Sequence, residues 1–202
     1  MILATAVVLG LVASVARHGR DAFRRVARIP LHSAWLALVA VALQIPLLRA
    51  PPGPTQDLGL QRALYLASFL LLLAFVWRNR RIPGILIVGI GVICNLLVIL
   101  FNGGFMPITP ETLVEINPGS TVEQWPIGTH YGYSKDVIEL QHATKFWALS
   151  DTLVVPPPFP RPTAFSVGDL VIAAGIVVLM QGAPVQADAS KDRPLPDKAR
   201  NV

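Results

Sequence analysis

The chain has 202 residues, of which 53% are hydrophobic and 14% are charged, and its mean hydropathy is +0.56. Soluble domains usually carry about 25% charged residues, so this composition indicates a polytopic membrane protein rather than an ordinary soluble domain. The net charge of +5 does not predict a nucleic-acid partner, because the basic residues lie mainly in short segments between apolar runs.

Five apolar runs predict an all-α fold, a polytopic membrane helical bundle of about five transmembrane helices with a partly helical outer segment. A membrane-spanning helix needs roughly 20 residues, so the first and fifth runs are short. Residues 1–180 form a single membrane domain in this interpretation, and the polar tail at 181–202 is expected to be disordered and cytoplasmic. The predicted spans are 1–16, 31–48, 60–77, 84–101 and 165–180, and the outer segment is 102–164.

The basic residues predict the orientation of these spans. The segments that follow the first, third and fifth runs hold 12 of the 17 Lys and Arg residues, and such segments stay in the cytoplasm. We therefore expect a multi-pass protein of the cell membrane with its N-terminus outside and its C-terminus in the cytoplasm. The first run is expected to be an uncleaved helix, since no basic residue precedes it and Arg17 directly follows the would-be cleavage site. A misassigned start codon would also explain why it is short.

The outer segment contains signals for local structure. Thr109-Pro110-Glu111 predicts a helix start, with a capping residue, a proline in the first turn and an acid beside it. A second helix is predicted from Ser134 to about Leu149, after a loop at 128–133. Residues 156–162 are rich in proline and predict a stiff spacer.

The fourth run carries polar side chains on one helical face, where Gly91, Asn95, Val98 and Asn102 recur at helical spacing. Small residues allow another helix to approach, and Asn can hydrogen-bond across the contact. The alternative is that Asn95 and Asn102 line a polar site that opens outward. Asn102-Gly103-Gly104 is likewise either a helix C-cap or a loop held close to a ligand.

Asp151 and Asp169 are the candidate catalytic residues. Both are predicted at the outer face, and two neighbouring carboxyl groups can share one proton, so that one activates water and the other polarises a carbonyl group. The structural alternative is that Asp169 caps its own helix, because Ser166-Val167-Gly168-Asp169 fits a capping box.

His142, nine residues before Asp151, is a third candidate for the polar lining, together with Asn95 and Asn102. One histidine among scattered acids lacks the close ligand spacing of a metal site, and we find no phosphate-binding loop, nucleophile elbow or zinc motif. No metal and no cofactor are therefore expected.

Two resemblances rest on these motifs. The series Asn95, then Asn102-Gly103-Gly104-Phe105-Met106-Pro107, then Leu149-Ser150-Asp151 and Ser166-Val167-Gly168-Asp169 resembles an uncharacterised bacterial multi-pass membrane family, from the second run onward. That resemblance implies membrane location.

Residues 164–175 are also similar to the last motif of lipoprotein signal peptidases, although Ser166 and Gly168 stand where that family has Asn and Ala. This second resemblance implies that Asp169 is one of two catalytic aspartates and that Asp151 is its partner.

Three hypotheses follow for function. The first is an integral membrane protein with a structural or accessory role at the cell envelope, whose partners are the lipid bilayer and another membrane protein. The alternative is an aspartyl intramembrane peptidase-like enzyme that acts at the outer leaflet through Asp151 and Asp169. A small-solute carrier is a weaker hypothesis, since five spans without an internal repeat are unusual for carriers.

Overall fold

The structure is a computed structural model that describes residues 2–155 and 162–182. Seven α-helices and six short β-strands lie within these ranges. The helices are α1 (Ile2–His18), α2 (Asp21–Ala27), α3 (Trp35–Leu48), α4 (Gly59–Asn79), α5 (Ile85–Phe101), α6 (Pro110–Ile116) and α7 (Val167–Leu179). The strands are β1 (Gly53–Pro54), β2 (Met106–Ile108), β3 (Thr129–His130), β4 (Asp136–Ile138), β5 (Asp151–Val155) and β6 (Thr163–Ser166).

Five apolar helices pack side by side: α7 lies between α5 and α1, and α4 lies between α5 and α3. The contact between α5 and α7 is close because glycine lines it on both sides. A Cβ atom at Gly91 would lie 2.5 Å from the carbonyl oxygen of Gly168 and 2.8 Å from the amide nitrogen of Ile172. The predicted small-residue face of the fourth run is therefore a helix-packing face, with Gly91, Asn95 and Val98 buried.

Two small sheets lie in and beside the outer segment. The first has the strand order β1-β3-β4-β2, in which β2 and β4 are parallel and the other pairs are antiparallel. The second is the antiparallel pair β5 and β6, which sets Asp151 opposite Ser166 just before α7 begins.

One hydrophobic core joins the helices to the outer segment. It combines Phe69 of α4 and Val92 of α5 with Phe105, Met106 and Val137 from around the first sheet. Because helix and sheet residues share this core, the sheet is fixed against one end of the helices.

The predicted all-α bundle of about five transmembrane helices is wrong. The outer segment contributes β-strands, and within residues 2–155 and 162–182 one helical run, Thr55–Asn79, is long and apolar enough to cross a membrane. The other four apolar helices have 13 to 17 residues. At 1.5 Å per residue such helices extend about 20–26 Å, less than the roughly 30 Å of a hydrocarbon core. The largest difference from the predicted runs is in α3, which begins at Trp35 instead of residue 31.

Local predictions for the outer segment had mixed outcomes. The helix start at Thr109 is confirmed, since its side chain accepts a hydrogen bond from the backbone of Thr112 at the start of α6. The predicted helix from Ser134 to Leu149 is wrong: β4 and a short 3-10 turn, Trp147–Leu149, lie there instead. The predicted loop at 128–133 contains β3. Residues 156–161 of the predicted spacer and 183–202 of the predicted tail lie outside the described part of the chain.

Candidate functional site

Lys135 lies at the centre of a buried charged cluster. Its Nζ atom is 3.2 Å from Asp151 Oδ1 and 3.1 Å from Asp169 Oδ2. The exposed fractions of the three side chains are 25%, 1% and 18%. The two predicted catalytic aspartates therefore converge on the same amine, which ties the start of β4 to β5 and to α7.

The start of α7 positions Asp169 through the capping box that its sequence predicts. The hydroxyl oxygen of Ser166 accepts a hydrogen bond from the Asp169 amide at 2.9 Å, and Asp169 Oδ2 accepts one from the Ser166 amide at 3.4 Å. The capping role of Asp169 is confirmed, and its carboxylate still reaches Lys135. The structural and the chemical interpretations of this residue are thus compatible.

Asn95 of α5 orients both Ser166 and Asp169. Its side-chain amide donates to Asp169 Oδ1 at 2.8 Å, and its carbonyl oxygen accepts a hydrogen bond from the Ser166 hydroxyl at 2.8 Å. Asn95 is 4% exposed, so these bonds form in a dry helix contact, where an unpaired amide would be costly. Helix packing and site geometry therefore depend on the same side chain.

Asp136 forms the second carboxyl pair of the cluster, with Asp151. Both carboxyl groups are buried, and each influences the pKa of the other. Burial and the neighbouring Asp151 raise the pKa of Asp136 well above its ordinary value. Burial also raises the pKa of Asp151, although the Lys135 ammonium opposes this shift. The pair therefore holds a proton to a higher pH than isolated aspartates would.

The amine of Lys135 stays protonated. Burial disfavours its charged form, but Asp151 and Asp169 hold the pKa of Lys135 well above its ordinary value. A permanently protonated amine is neither a nucleophile nor a general base. Lys135 instead acts as a fixed positive charge that keeps carboxylates ionised.

This cluster forms the polar end of a cavity of about 500 Å³. The cavity lies where the outer segment meets the helices. Its aliphatic lining residues Val92 and Ile172 lie about one helical turn further from the outer segment than Asn95 and Asp169 do. The polar lining comprises Gln44, Tyr65, Asn95, Tyr133, Ser134, Lys135, Asp136, Asp151, Thr163 and Asp169, and the apolar lining comprises Ile2, Leu3, Leu48, Phe69, Leu72, Val92, Ala164, Phe165 and Ile172. Among residues 2–155 and 162–182, no three His, Cys, Asp or Glu side chains are grouped to hold a metal ion.

The other two predicted polar residues lie elsewhere. The side chain of Asn102 donates to the Lys145 carbonyl at 2.9 Å and accepts from the Lys145 amide at 2.8 Å, which braces the end of α5 against the outer segment. Gly103 and Gly104 follow with positive φ, and Gly104 donates back to Ile99, as a helix C-terminus requires. His142 is exposed. Neither Asn102 nor His142 is among the described residues that line the cavity.

Lys135, Asp136 and the contact from Ser166 to Asn95 were not predicted from the sequence. Lys135 is 16 and 34 residues away from its two partners, and no local pattern encodes such a pairing. A weak signal was available, because positions 135 and 145 hold the only lysines between residues 102 and 164.

Comparison with known proteins gives the family. The model of DUF5317, a family of unknown function, matches residues 28–181. The chain belongs to this family. The first resemblance, to an uncharacterised family, is thereby confirmed. The comparisons do not show similarity to lipoprotein signal peptidases.

A protein of Thermotoga maritima, which bears the name "Uncharacterized protein", is 31% identical over 135 residues, which cover 64% of this chain and 69% of that protein. No solved structure matches the chain. The DUF5317 match contains all four charged residues of the cluster but not Ile2 or Leu3, so the polar end of the cavity lies wholly within the family's shared region.

Proposed function

We propose that this DUF5317 protein is an integral membrane protein with an accessory, non-enzymatic role at the cell envelope, and that it holds an amphipathic molecule in the cavity between its outer segment and its helices. The observation that carries the proposal is the lining of that cavity, which combines four charged side chains with aliphatic ones. A volume of about 500 Å³ is within the range of small-molecule sites.

Exposed apolar surface supports the membrane location. The most apolar 18-residue window of the helical run Thr55–Asn79 has a mean hydropathy of 1.7, yet only 22% of that window is buried within the protein. A core helix of a water-soluble protein would be mostly buried. Leu60, Leu70 and Trp77 of this run are each about two-thirds exposed or more. Lipid would cover such side chains, each of which contributes about 1.5–3 kcal/mol when it is removed from water.

The position of the basic segments supports the orientation. Arg25 of α2 donates to the carbonyl of Gln181, just beyond α7, and Asn79 at the end of α4 bonds to the backbone of His32. The arginine-rich segments therefore meet at the end of the helices opposite Asp169. With these segments in the cytoplasm, the proposal puts the cavity and the outer segment on the outer side of the membrane.

Cysteine protection tests the proposal. In a Cys94→Ser background, Thr163→Cys introduces a thiol at the cavity lining, and Gln141→Cys introduces one on exposed outer surface. We expect 1-octanol, a neutral amphiphile, to slow maleimide labelling at position 163 severalfold and to leave labelling at 141 unchanged. Equal rates with and without octanol at position 163 would contradict the proposal, as would equal slowing at both positions.

Aspartyl hydrolysis is the second candidate function, because Asp151 and Asp169 face the same cavity. The arrangement differs from a simple dyad, since the Lys135 amine contacts both. The carboxyl group whose pKa is raised well above its ordinary value is that of Asp136. On this hypothesis Asp151 would take a proton from water and Asp136 would protonate the carbonyl oxygen of the substrate.

Complementation separates the two candidates. In a strain that lacks the gene, Asp151→Asn and Asp169→Asn variants are compared with wild type at matched protein levels. Loss of complementation by variants that still bind octanol would support hydrolysis. Full complementation by both variants would exclude it.

A further inference from the structure

The polar end of the cavity carries surplus negative charge. Three carboxyl groups line it, and Lys135 is the one cation among its described lining residues. Lys135 neutralises one charge, and a proton on Asp136, whose pKa is raised well above its ordinary value, neutralises a second. One net negative charge is left uncompensated at the edge of a low-dielectric site, where charge interactions are stronger than in water.

Asp136 also has an unused hydrogen-bond acceptor. It is 8% exposed, and its Oδ1 atom is buried without a hydrogen-bond partner among the described residues. A buried carboxyl oxygen without a partner is destabilising, more so when it is charged. A bound group with N–H donors and a positive charge would remove this cost and neutralise the surplus charge together.

From these two observations we infer that the cavity takes an amphiphile with a cationic ammonium head group, which lies against Asp136 at the polar end while an aliphatic tail lies along Leu72, Val92 and Ile172. This inference rests on the proposed function and names the class of its ligand. An anionic head group is disfavoured, because three carboxyl groups would repel it.

Aromatic side chains in the lining of the cavity also favour a bound cation. Tyr65, Phe69 and Tyr133 line the cavity along with the carboxyl groups, and aromatic faces attract ammonium groups. The aliphatic residues beyond them offer no polar partner, so the tail of the ligand gains by leaving water.

Binding of the cation is coupled to the protonation of Asp136. The titratable groups that line the cavity are Tyr65, Tyr133, Lys135, Asp136, Asp151 and Asp169. A cation beside Asp136 favours the doubly ionised form of the Asp136 and Asp151 pair, so binding releases a proton. Affinity should therefore rise as the pH rises, until the pair is fully ionised in the free protein.

Three probes with the same eight-carbon tail test the inference: octylammonium, 1-octanol and octanoate. The full-length protein in nanodiscs is titrated by calorimetry, and empty nanodiscs correct for partition into lipid. We expect octylammonium to bind most tightly and octanoate most weakly.

Asp136→Asn should weaken octylammonium binding by about tenfold, as expected for the loss of a hydrogen bond to a charged group, with little effect on octanol binding. Glu123→Gln, at an exposed acid of the outer segment, should leave the affinities for octylammonium and for octanol unchanged.

The outcomes separate the inference from the proposed function on which it rests. If all three probes bind equally and Leu72→Trp blocks them all, the amphiphile site stands and the cationic head group is excluded. Tightest binding by octanoate, or an unchanged octylammonium affinity in a folded Asp136→Asn variant, also overturns the inference. If none of the probes binds, both the inference and the proposed function fail.

Discussion

At the scale of single residues, Lys135 balances the charge of the cavity. Asp151 is 1% exposed, so water cannot solvate its charge, and Lys135 is the cation in contact with it. A buried carboxylate without a counter-charge is strongly destabilising, whereas the intact pair adds little to stability compared with apolar residues. The consequence of the pairing is therefore clearest when one partner is removed.

Replacement of Lys135 should reveal this dependence. Lys135→Met keeps the aliphatic stem and removes the charge, and we expect it to lower the free energy of unfolding at neutral pH by about 3 kcal/mol. Denaturant unfolding in detergent micelles measures the loss. The matched control is Lys145→Met, at an exposed lysine of the same segment. Equal effects of the two substitutions would contradict the role assigned to Lys135.

The raised pKa of Asp136 makes a prediction about pH. A carboxyl group whose pKa is higher in the folded than in the unfolded chain stabilises the fold at low pH. That stability is present below the ordinary aspartate pKa of 3.8 and is lost as the pH rises through the raised pKa of the folded protein. We expect the free energy of unfolding of Asp136→Asn to depend less on pH over this range. We also expect its melting temperature to be higher than that of wild type at pH values of about 7–8. An Asn variant less stable than wild type throughout that range would contradict the assignment.

At the scale of elements, the start of α7 joins a helix cap to the site. The Ser166 hydroxyl accepts from the Asp169 amide and donates to Asn95. Ser166→Ala removes the cap and leaves the Asn95 oxygen without that donor, for an expected loss of about 2 kcal/mol. The control is Thr121→Ala, which breaks a capping box on a short exposed turn and should cost about 0.5 kcal/mol. Unfolding free energies of the two variants that agree within error would contradict the account.

The close contact of α5 with α7 predicts the effect of a single methyl group. Gly91→Ala would set Cβ against the backbone of α7, which cannot move without the whole helix, so we expect a loss of about 1–3 kcal/mol. At Gly59, the first residue of α4, a Cβ atom meets nothing within 4 Å. Gly59→Ala should therefore be neutral or gain at most about 1 kcal/mol. A neutral Gly91→Ala in thermal unfolding would show that the helices are less closely packed than described.

Elements differ in how far the sequence predicts them. The caps at Thr109 and Ser166 were predictable, because each donor and acceptor lies within three residues of the other. The strands were not, since β1 to β4 have two or three residues each and are too short to show alternation of apolar and polar residues. Their pairing is also long-range, as for Met106 with Asp136. A helix from Ser134 was therefore predicted where a strand forms.

At the scale of the whole molecule, the site combines residues that no local pattern connects. Asp151 and Asp169 were predicted as a pair, and they do lie at one site. The amine between them and the second carboxyl group beside Asp151 come from β4 and the residue before it, whose position is set by a core that helices and sheet share. Hydropathy predicted where the apolar runs lie and that the first and fifth are short, but it did not predict that α3 would have only 14 residues.

Native mass spectrometry of the full-length protein, released from its own membranes, tests the central claim most directly. We predict that wild-type protein retains one tightly bound amphiphile. Leu72→Trp, which fills the apolar end of the cavity, should lose that molecule, while Leu70→Trp, on the exposed face of the same helix, should keep it. A wild-type protein with no bound amphiphile, or a molecule retained equally by both variants, would contradict the account.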